Sequence, residues 1–312
     1  MQALIEVIIP VFLVIGAGYL LAWRGLFDAG AVDGVMKFAQ TFAVPCLLFK
    51  SLAGLDLAAT YDTGLFLSFY IAAFASFGLG FAGSWKLLGR PVTDSVAIGF
   101  ACLFSNSLLL GLPIMERAYG AASLSGNYAI ISIHATLFYA FGITCMELAL
   151  NHGKGLAAGV LAAQVMRAIL NQPLVIGILA GFAVNLSGLP LPLVVQAGVD
   201  MMARAAIPTA LFALGGVLLR YRPEGDAKAI AMVCALSLIG HPGMTYLLGR
   251  YAFALDTAQL RSAVITAAMA PGVNAYMFAN LYGVGKRVAA SAVLIATAVS
   301  ILTVWLWLHI LP

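Results

Sequence analysis

Apolar runs long enough to cross a lipid bilayer follow one another along the whole 312-residue chain. About 18 or more such residues, folded as a helix, span a hydrocarbon core of about 30 Å. With 63% apolar and only 9% charged residues, the chain lacks the polar surface that a water-soluble globule needs. Backbone groups in lipid must bond internally, and the short alternating strands of a barrel are missing from the pattern. The sequence therefore predicts an all-α integral membrane protein.

Ten membrane spans are predicted from the apolar runs and the polar or Gly/Pro breaks between them. They cover residues 3–23, 31–53, 62–85, 95–118, 124–149, 166–187, 194–220, 227–250, 258–282 and 287–311. No Lys or Arg precedes the first run, unlike a cleavable signal peptide, so we expect a retained span. The four cysteines are isolated in apolar segments, which favours buried hydrophobic roles. We therefore expect no metal, no cofactor and no nucleic-acid partner.

Basic residues concentrate on one side of this arrangement. Eleven of the sixteen Lys and Arg residues fall on or near the loops that join odd spans to the following even spans: Arg24, Lys37, Lys86, Arg90, Lys154, Arg167, Arg220, Arg222, Lys228, Lys286 and Arg287. Because cytoplasmic loops carry the excess of Lys and Arg, this side is predicted to be cytoplasmic. The protein would then be a multi-pass cell-membrane protein with both termini outside.

An internal repeat is predicted by sliding the chain against itself by 163 residues. Matching residues then coincide without a gap: Pro10 with Pro173, Pro45 with Pro208, Leu48-Phe49 with Leu211-Phe212, and Tyr119-Gly120 with Tyr282-Gly283. The chain divides into a first five-helix repeat at 1–150, a short cytoplasmic linker at 151–165 and a second repeat at 166–312. Because five spans is an odd number, the second repeat starts on the opposite face, so the repeats are inverted, as in secondary transporters.

The fourth and ninth spans carry polar and helix-breaking residues where a simple anchor would have leucine. The candidate substrate-binding residues are Ser105, Asn106, Ser107, Gly111 and Pro113 in the fourth span, and Pro271, Gly272 and Asn274 in the ninth. Broken helices near the bilayer midplane would point positive N-terminal ends and negative C-terminal ends into one pocket, which suits a small carboxylate or a coupling cation. The alternative is that the two asparagines only cap the broken ends and the prolines only kink the helices.

Four other polar residues inside the spans are weaker candidates. Arg204 and Gln40 are assigned to the substrate site, although Arg204 could instead pair with Asp200 one turn earlier, as Asp33 could pair with Lys37. His134 and His241 could carry protons or could be packed hydrogen-bonding residues. The sequence leaves these alternatives open.

Several of these segments resemble the auxin efflux carrier family, which includes plant auxin carriers and bacterial malonate or malate permeases. The similar segments are Asn106 to Pro113 with Tyr119-Gly120, Asn171 to Leu174, Ile207 to Phe212, His241-Pro242, and Pro271 to Asn274 with Tyr282-Gly283. Plant carriers have proline where Ser105 stands, which argues against indole acetate as the substrate. Their long cytosolic loop is replaced here by a short segment near 151–164.

The resemblance implies a fold similar to bile-acid-type and sodium/proton antiporter-type carriers. Spans 1, 2, 6 and 7 would form a scaffold and a homodimer contact, and the other six spans would form a moving unit. Spans 4 and 9 would cross in that unit, and Asn106 would match the family's substrate-contacting asparagine.

These observations predict a secondary carrier that moves a small organic anion, a mono- or dicarboxylate, by alternating access. One alternative is a symporter, coupled to a proton or sodium ion, of a larger amphipathic acid. Another is a receptor or channel. The chain has no His-Glu-x-x-His, Gly-x-Ser-x-Gly or phosphate-binding loop motif, so no enzyme is predicted.

Overall fold

The computed structural model describes residues 3–151, 158–170 and 172–312. Within these ranges the regular structure is helical, apart from one antiparallel bridge between Ser105 and Pro271. The helices of ten or more residues are α1 Leu4–Trp23, α2 Ala29–Ala53, α3 Thr63–Leu87, α4 Val92–Leu103, α5 107–119, α6 Ala121–Leu150, α7 Ala158–Leu170, α8 Pro173–Ser187, α9 Leu193–Leu219, α10 Ala227–Ala252, α11 Thr257–Ala267, α12 Val273–Tyr282 and α13 Lys286–Ile310, and one further turn of helix covers Leu57–Thr60. The all-helical prediction is confirmed.

Seven of the described helices are long and apolar enough to cross a membrane: α1, α2, α3, α6, α9, α10 and α13. The predicted fourth and ninth spans are each two shorter helices, α4 with α5 and α11 with α12. Residues 158–165 of the predicted linker lie in α7. Most of the remaining linker, residues 152–157, lies outside the described residues, as does Asn171.

Four prolines follow wide π-helical turns instead of breaking their helices. The turns Leu4–Ile8, Ala39–Ala43, Ser107–Gly111 and Leu236–Gly240 each end two residues before a proline, at Pro10, Pro45, Pro113 and Pro242. Proline lacks a backbone N–H and clashes with the carbonyl four residues earlier, and a wider turn provides room for its ring. The helix therefore continues through each of these prolines.

Glycines bring the helices α1, α2, α8 and α9 into close contact. Gly18 of α1 lies directly against the backbone of Phe212 on α9, so an added Cβ would overlap the Phe212 carbonyl. A Cβ added at Gly181 of α8 would lie 2.8 Å from the carbonyl oxygen of Phe49 on α2. Because α2 also contacts α9, the pair α1–α9 and the pair α2–α8 pack as one group of four helices.

The remaining helices pack around the two broken spans. Helix α3 contacts α4, α10 and α11, while α13 contacts α10 and α12. Buried polar groups join this set: the Asn127 Nδ2 donates to Thr266 Oγ1 at 2.8 Å, and the Trp307 Nε1 donates to the Leu238 carbonyl at 3.0 Å. These helices thus hold the crossing of α4–α5 with α11–α12 from several sides.

Candidate functional site

Two extended segments cross where the broken helices meet. The backbone N–H of Asn106 donates to the carbonyl of Ala270 at 2.8 Å, and the N–H of Gly272 donates to the carbonyl of Phe104 at 2.9 Å. These two bonds form the antiparallel bridge between 104–106 and 270–272. They satisfy backbone groups that lost helical partners at the breaks, which is necessary in a low-dielectric interior.

Two helix N-terminal ends face this crossing. Helix α5 starts immediately after Asn106 and α12 immediately after Gly272. The first N–H groups of a helix have no partner within the helix, and each N-terminus carries about half a positive charge. The C-terminal ends of α4 and α11 lie at the same breaks and carry about half a negative charge each. The cavity beside the crossing is lined by the first residues of α5 and α12, so its local N–H groups suit a carboxylate.

The two asparagines are available to a ligand. Asn106 occupies the N-cap position of α5 but makes no side-chain cap hydrogen bond. Asn274 is the second residue of α12, whose N-cap position is held by Gly272. Among the described residues, neither side-chain amide has a hydrogen-bond partner, so the capping alternative is wrong for both. An amide donates through its nitrogen and accepts through its oxygen, and both functions remain open here.

A cavity of about 160 Å³, the crossover cavity, lies against the crossing. Six of the predicted site residues line it: Gln40, Ser105, Asn106, Ser107, Gly272 and Asn274. The hydroxyls of Ser105 and Ser107 lie 2.8 Å apart and hydrogen bond to each other, so the amides carry most of the free polar capacity. Thr41 and Gln172 also line this cavity, although neither is among the residues predicted for the site.

The other four predicted site residues do not line the crossover cavity. Gly111 and Pro113 lie within α5. The π-helical turn before Pro113 accommodates the proline, so the helix is broken at residues 104–106 and not at Pro113. Pro271 is buried within the bridge itself. Arg204 and Pro113 line a separate second cavity of about 630 Å³.

The two ion pairs predicted within single helices are also wrong, because each aspartate pairs with a basic residue from a distant part of the chain. Asp200 pairs with Lys50 of α2 at 2.7 Å instead of with Arg204. Asp33 pairs with Arg220, the residue that follows α9, at 2.7 Å instead of with Lys37.

His134 lines the crossover cavity from α6, and His241 lies behind Phe69. Both side chains are buried, at 4% and 0% exposure, and none of their ring nitrogens has a hydrogen-bond partner among the described residues. The His134 ring contacts Phe104 and Phe138 edge-on, with centroids 4.9 and 4.4 Å away. His134 thus forms an aromatic wall of the crossover cavity.

Comparisons with known proteins agree with this architecture. A family model described as "Membrane transport protein" matches residues 3–308. A protein of Rhizobium meliloti (strain 1021) named "Putative malonate transporter" is 27% identical over 97% of this chain and 94% of its own length. "Auxin efflux carrier component 5" of Arabidopsis thaliana is 21% identical over 95% of this chain and 93% of its own. An "Uncharacterized transporter" of Methanothermobacter thermautotrophicus is 24% identical over 97% and 96%.

Proposed function

This chain belongs to the membrane transport protein family, and from that premise we propose that it is a secondary carrier of a small organic anion, a mono- or dicarboxylate. The observation that carries the proposal is the crossing of 104–106 with 270–272 beside a cavity, with two helix N-termini and two unpartnered amides. The name of the Rhizobium relative adds support for a dicarboxylate such as malonate.

We propose alternating access between two inverted five-helix repeats with ten spans in all. Matched contacts support the repeat: Gly18 packs on Phe212, and Gly181, 163 residues after Gly18, packs on Phe49, 163 residues before Phe212. A swap of conformations between inverted halves exposes a central site to each face in turn. The basic loops support a cytoplasmic position for the odd-to-even connections, with both termini outside, and the resemblance supports a homodimer through α1, α2, α8 and α9.

The size of the crossover cavity favours a small acid over the larger amphipathic acid of the alternative hypothesis. About 160 Å³ accommodates a compact di- or monocarboxylate. The rest of the lining is largely apolar, with Leu48, Ile131 and Met277 among its residues, so size alone favours the small acid.

Counterflow in proteoliposomes tests the proposal. Unlabelled acids are loaded inside, and labelled malonate, malate and indole acetate are followed from outside, for wild type and for the double variant Asn106→Ala/Asn274→Ala. A hydrogen bond to a charged group contributes about 1.5–3 kcal/mol, so each lost amide should raise the half-saturation concentration by roughly 10- to 100-fold.

Asn280→Ala is the matched control. Asn280 is exposed on α12 and does not line the crossover cavity, so its loss should leave transport unchanged. Wild-type transport that persists in the double variant would refute the assignment of the site. Conductance without saturable counterflow would favour a channel.

A further inference from the structure

The second cavity, of about 630 Å³, shares no lining residue with the crossover cavity. Helices α1, α2 and α9 form one wall, and α5 with the start of α6 forms the other. Like the crossover cavity, it lies between the group α1, α2, α8 and α9 on one side and helices that include α5 and α6 on the other. It contacts different residues of these helices.

The 163-residue offset maps residues of α2 and α8 that line the crossover cavity onto residues of α9 and α1 that line the second cavity. Four residues of α2 line the crossover cavity: Gln40, Thr41, Val44 and Leu48. Their counterparts on α9 all line the second cavity: Ala203, Arg204, Ile207 and Leu211. In the same way, Pro173 and Leu174 of α8 line the first cavity, and Pro10 and Val11 of α1 line the second. These walls occupy equivalent positions in the two repeats, although the opposite walls, formed by different parts of α5, α6 and α12, do not correspond. Inverted repeats would therefore open the two cavities to opposite faces of the membrane.

The two cavities differ in depth. The crossover cavity reaches Gly272 and Asn274 at the very start of α12. The second cavity touches α5 only from Pro113 onward, six residues after Ser107, or about 9 Å further along the helix. In this conformation the crossing is therefore open to the first cavity and closed to the second.

The two cavities also differ in charge. Arg204 stands where the other repeat has Thr41. It lies eleven residues into α9, about 16 Å from the start of a helix that is long enough to cross a membrane. An unpaired cation at such a depth is costly, and its presence points to an anionic partner. Glu116 also lines this cavity, but it forms no ion pair with Arg204 within the described residues.

Arg204 is the unpaired cation of this cavity. Lys50 is held by Asp200 at 2.7 Å, and the Arg117 Nε donates to the Glu6 carbonyl oxygen at 3.0 Å. Within the described part of the chain, Arg204 alone of these three cations has no hydrogen bond or ion pair. Its exposed guanidinium presents five donors in a planar fork that matches a carboxylate.

We propose that the second cavity is a carboxylate-binding vestibule of the opposite-facing state, with Arg204 as its anion ligand. This proposal rests on the proposed function of the crossover site. It adds that the affinity of the carrier for the organic anion differs between the two faces of the membrane. The organic anion binds a fixed cation on one face of the membrane and meets only neutral groups on the other.

Malonate transport in proteoliposomes of one defined orientation tests the proposal, with half-saturation measured separately from each face. Arg204→Gln should raise it roughly tenfold or more from the face of the second cavity and leave the other face unchanged. Arg204→Lys keeps the charge but loses the fork, so we expect a smaller rise. Arg250→Gln is the control, because it removes an exposed positive charge at the end of α10 that does not line the cavity.

The outcomes distinguish the vestibule proposal from the proposed carrier function. A rise confined to one face, absent in Arg250→Gln, supports the vestibule. If wild type transports malonate while Arg204→Gln leaves both faces unchanged, or shifts both alike, the vestibule is refuted and the carrier function stands. If folded wild type shows no counterflow of malonate, malate or indole acetate, the carrier hypothesis fails and the vestibule fails with it. Arg204 has no partner in the described structure to lose, so size-exclusion profiles should confirm that its variants fold.

Discussion

Substitution of Gly18 by alanine should destabilise the packing of α1 against α9. An added Cβ would overlap the Phe212 carbonyl, which is backbone and cannot rotate away. At the matched position, a Cβ on Gly181 would lie 2.8 Å from the Phe49 carbonyl oxygen, 0.6 Å closer than the 3.4 Å at which ordinary contact begins. The helices must separate in both cases. Overpacking of this kind costs about 1–3 kcal/mol, which for a chain of 312 residues corresponds to a fall in Tm of about 2–5 °C.

Gly16 provides a control on the same helix. A Cβ at Gly16 would meet no atom within 4 Å, and alanine is the better helix former by roughly 0.5–1 kcal/mol. Gly16→Ala should therefore leave Tm unchanged or raise it, while Gly18→Ala and Gly181→Ala should both lower it. Thermal unfolding of the detergent-solubilised protein, followed by tryptophan fluorescence, measures all three. The packing argument is refuted if Gly16→Ala lowers Tm as much as Gly18→Ala does.

Two further predictions concern the loops. The hydrogen bond from Arg90 lowers the pKa of the exposed Asp226 carboxyl below its ordinary value of 3.8, so the interaction stabilises the protein above about pH 4 and is lost as the pH falls. Asp226→Asn keeps the N-cap of α10, so its Tm deficit against wild type should be present at pH 7 and shrink towards pH 3. Gly120 has φ 85° and ψ 165°, a conformation nearly restricted to glycine, whereas Gly283 has φ 73° and ψ 11°, which asparagine tolerates. Gly120→Asn should lower Tm clearly more than Gly283→Asn, and equal effects would contradict this reasoning.

The helix bounds could be predicted from the sequence where a long apolar run has polar ends. The first run was predicted at 3–23 and the helix covers Leu4–Trp23; the last was predicted at 287–311 and the helix covers Lys286–Ile310. In such segments local hydropathy alone determines where the helix leaves the bilayer. The crossing at Asn106 and Asn274 could also be located, because polar residues in the middle of a span have few other uses.

The remaining details depend on contacts between helices, which are distant in the sequence. Pro113 was taken as part of the break, but a π-helical turn accommodates it, and the sequence gives no sign of that turn. Arg204 was assigned to the crossing, yet Asp200 turns to Lys50 of another helix and Arg204 faces a second cavity. Sequence spacing can only propose partners on the same helix, and tertiary packing decides between them.

The absence of formal charge at the crossing has a consequence for energetics. Of the described residues that line the crossover cavity, none is Asp, Glu, Lys or Arg, so the proposed site would neutralise an anion only with helix ends and amides. A monocarboxylate that crosses without a counter-ion then carries one negative charge per turnover. Each 100 mV of membrane potential contributes about 2.3 kcal/mol to that step, or roughly a 50-fold accumulation at equilibrium.

Potassium gradients with valinomycin in proteoliposomes set this potential and measure the effect. An inside-positive potential should drive accumulation of the labelled monocarboxylate, and an inside-negative potential should prevent it. A proton that moved with the anion, for example through His134 in the cavity wall, would cancel the charge. Accumulation would then follow the pH gradient and ignore the potential, so uptake that does not respond to valinomycin would show that the anion does not cross as a bare charge.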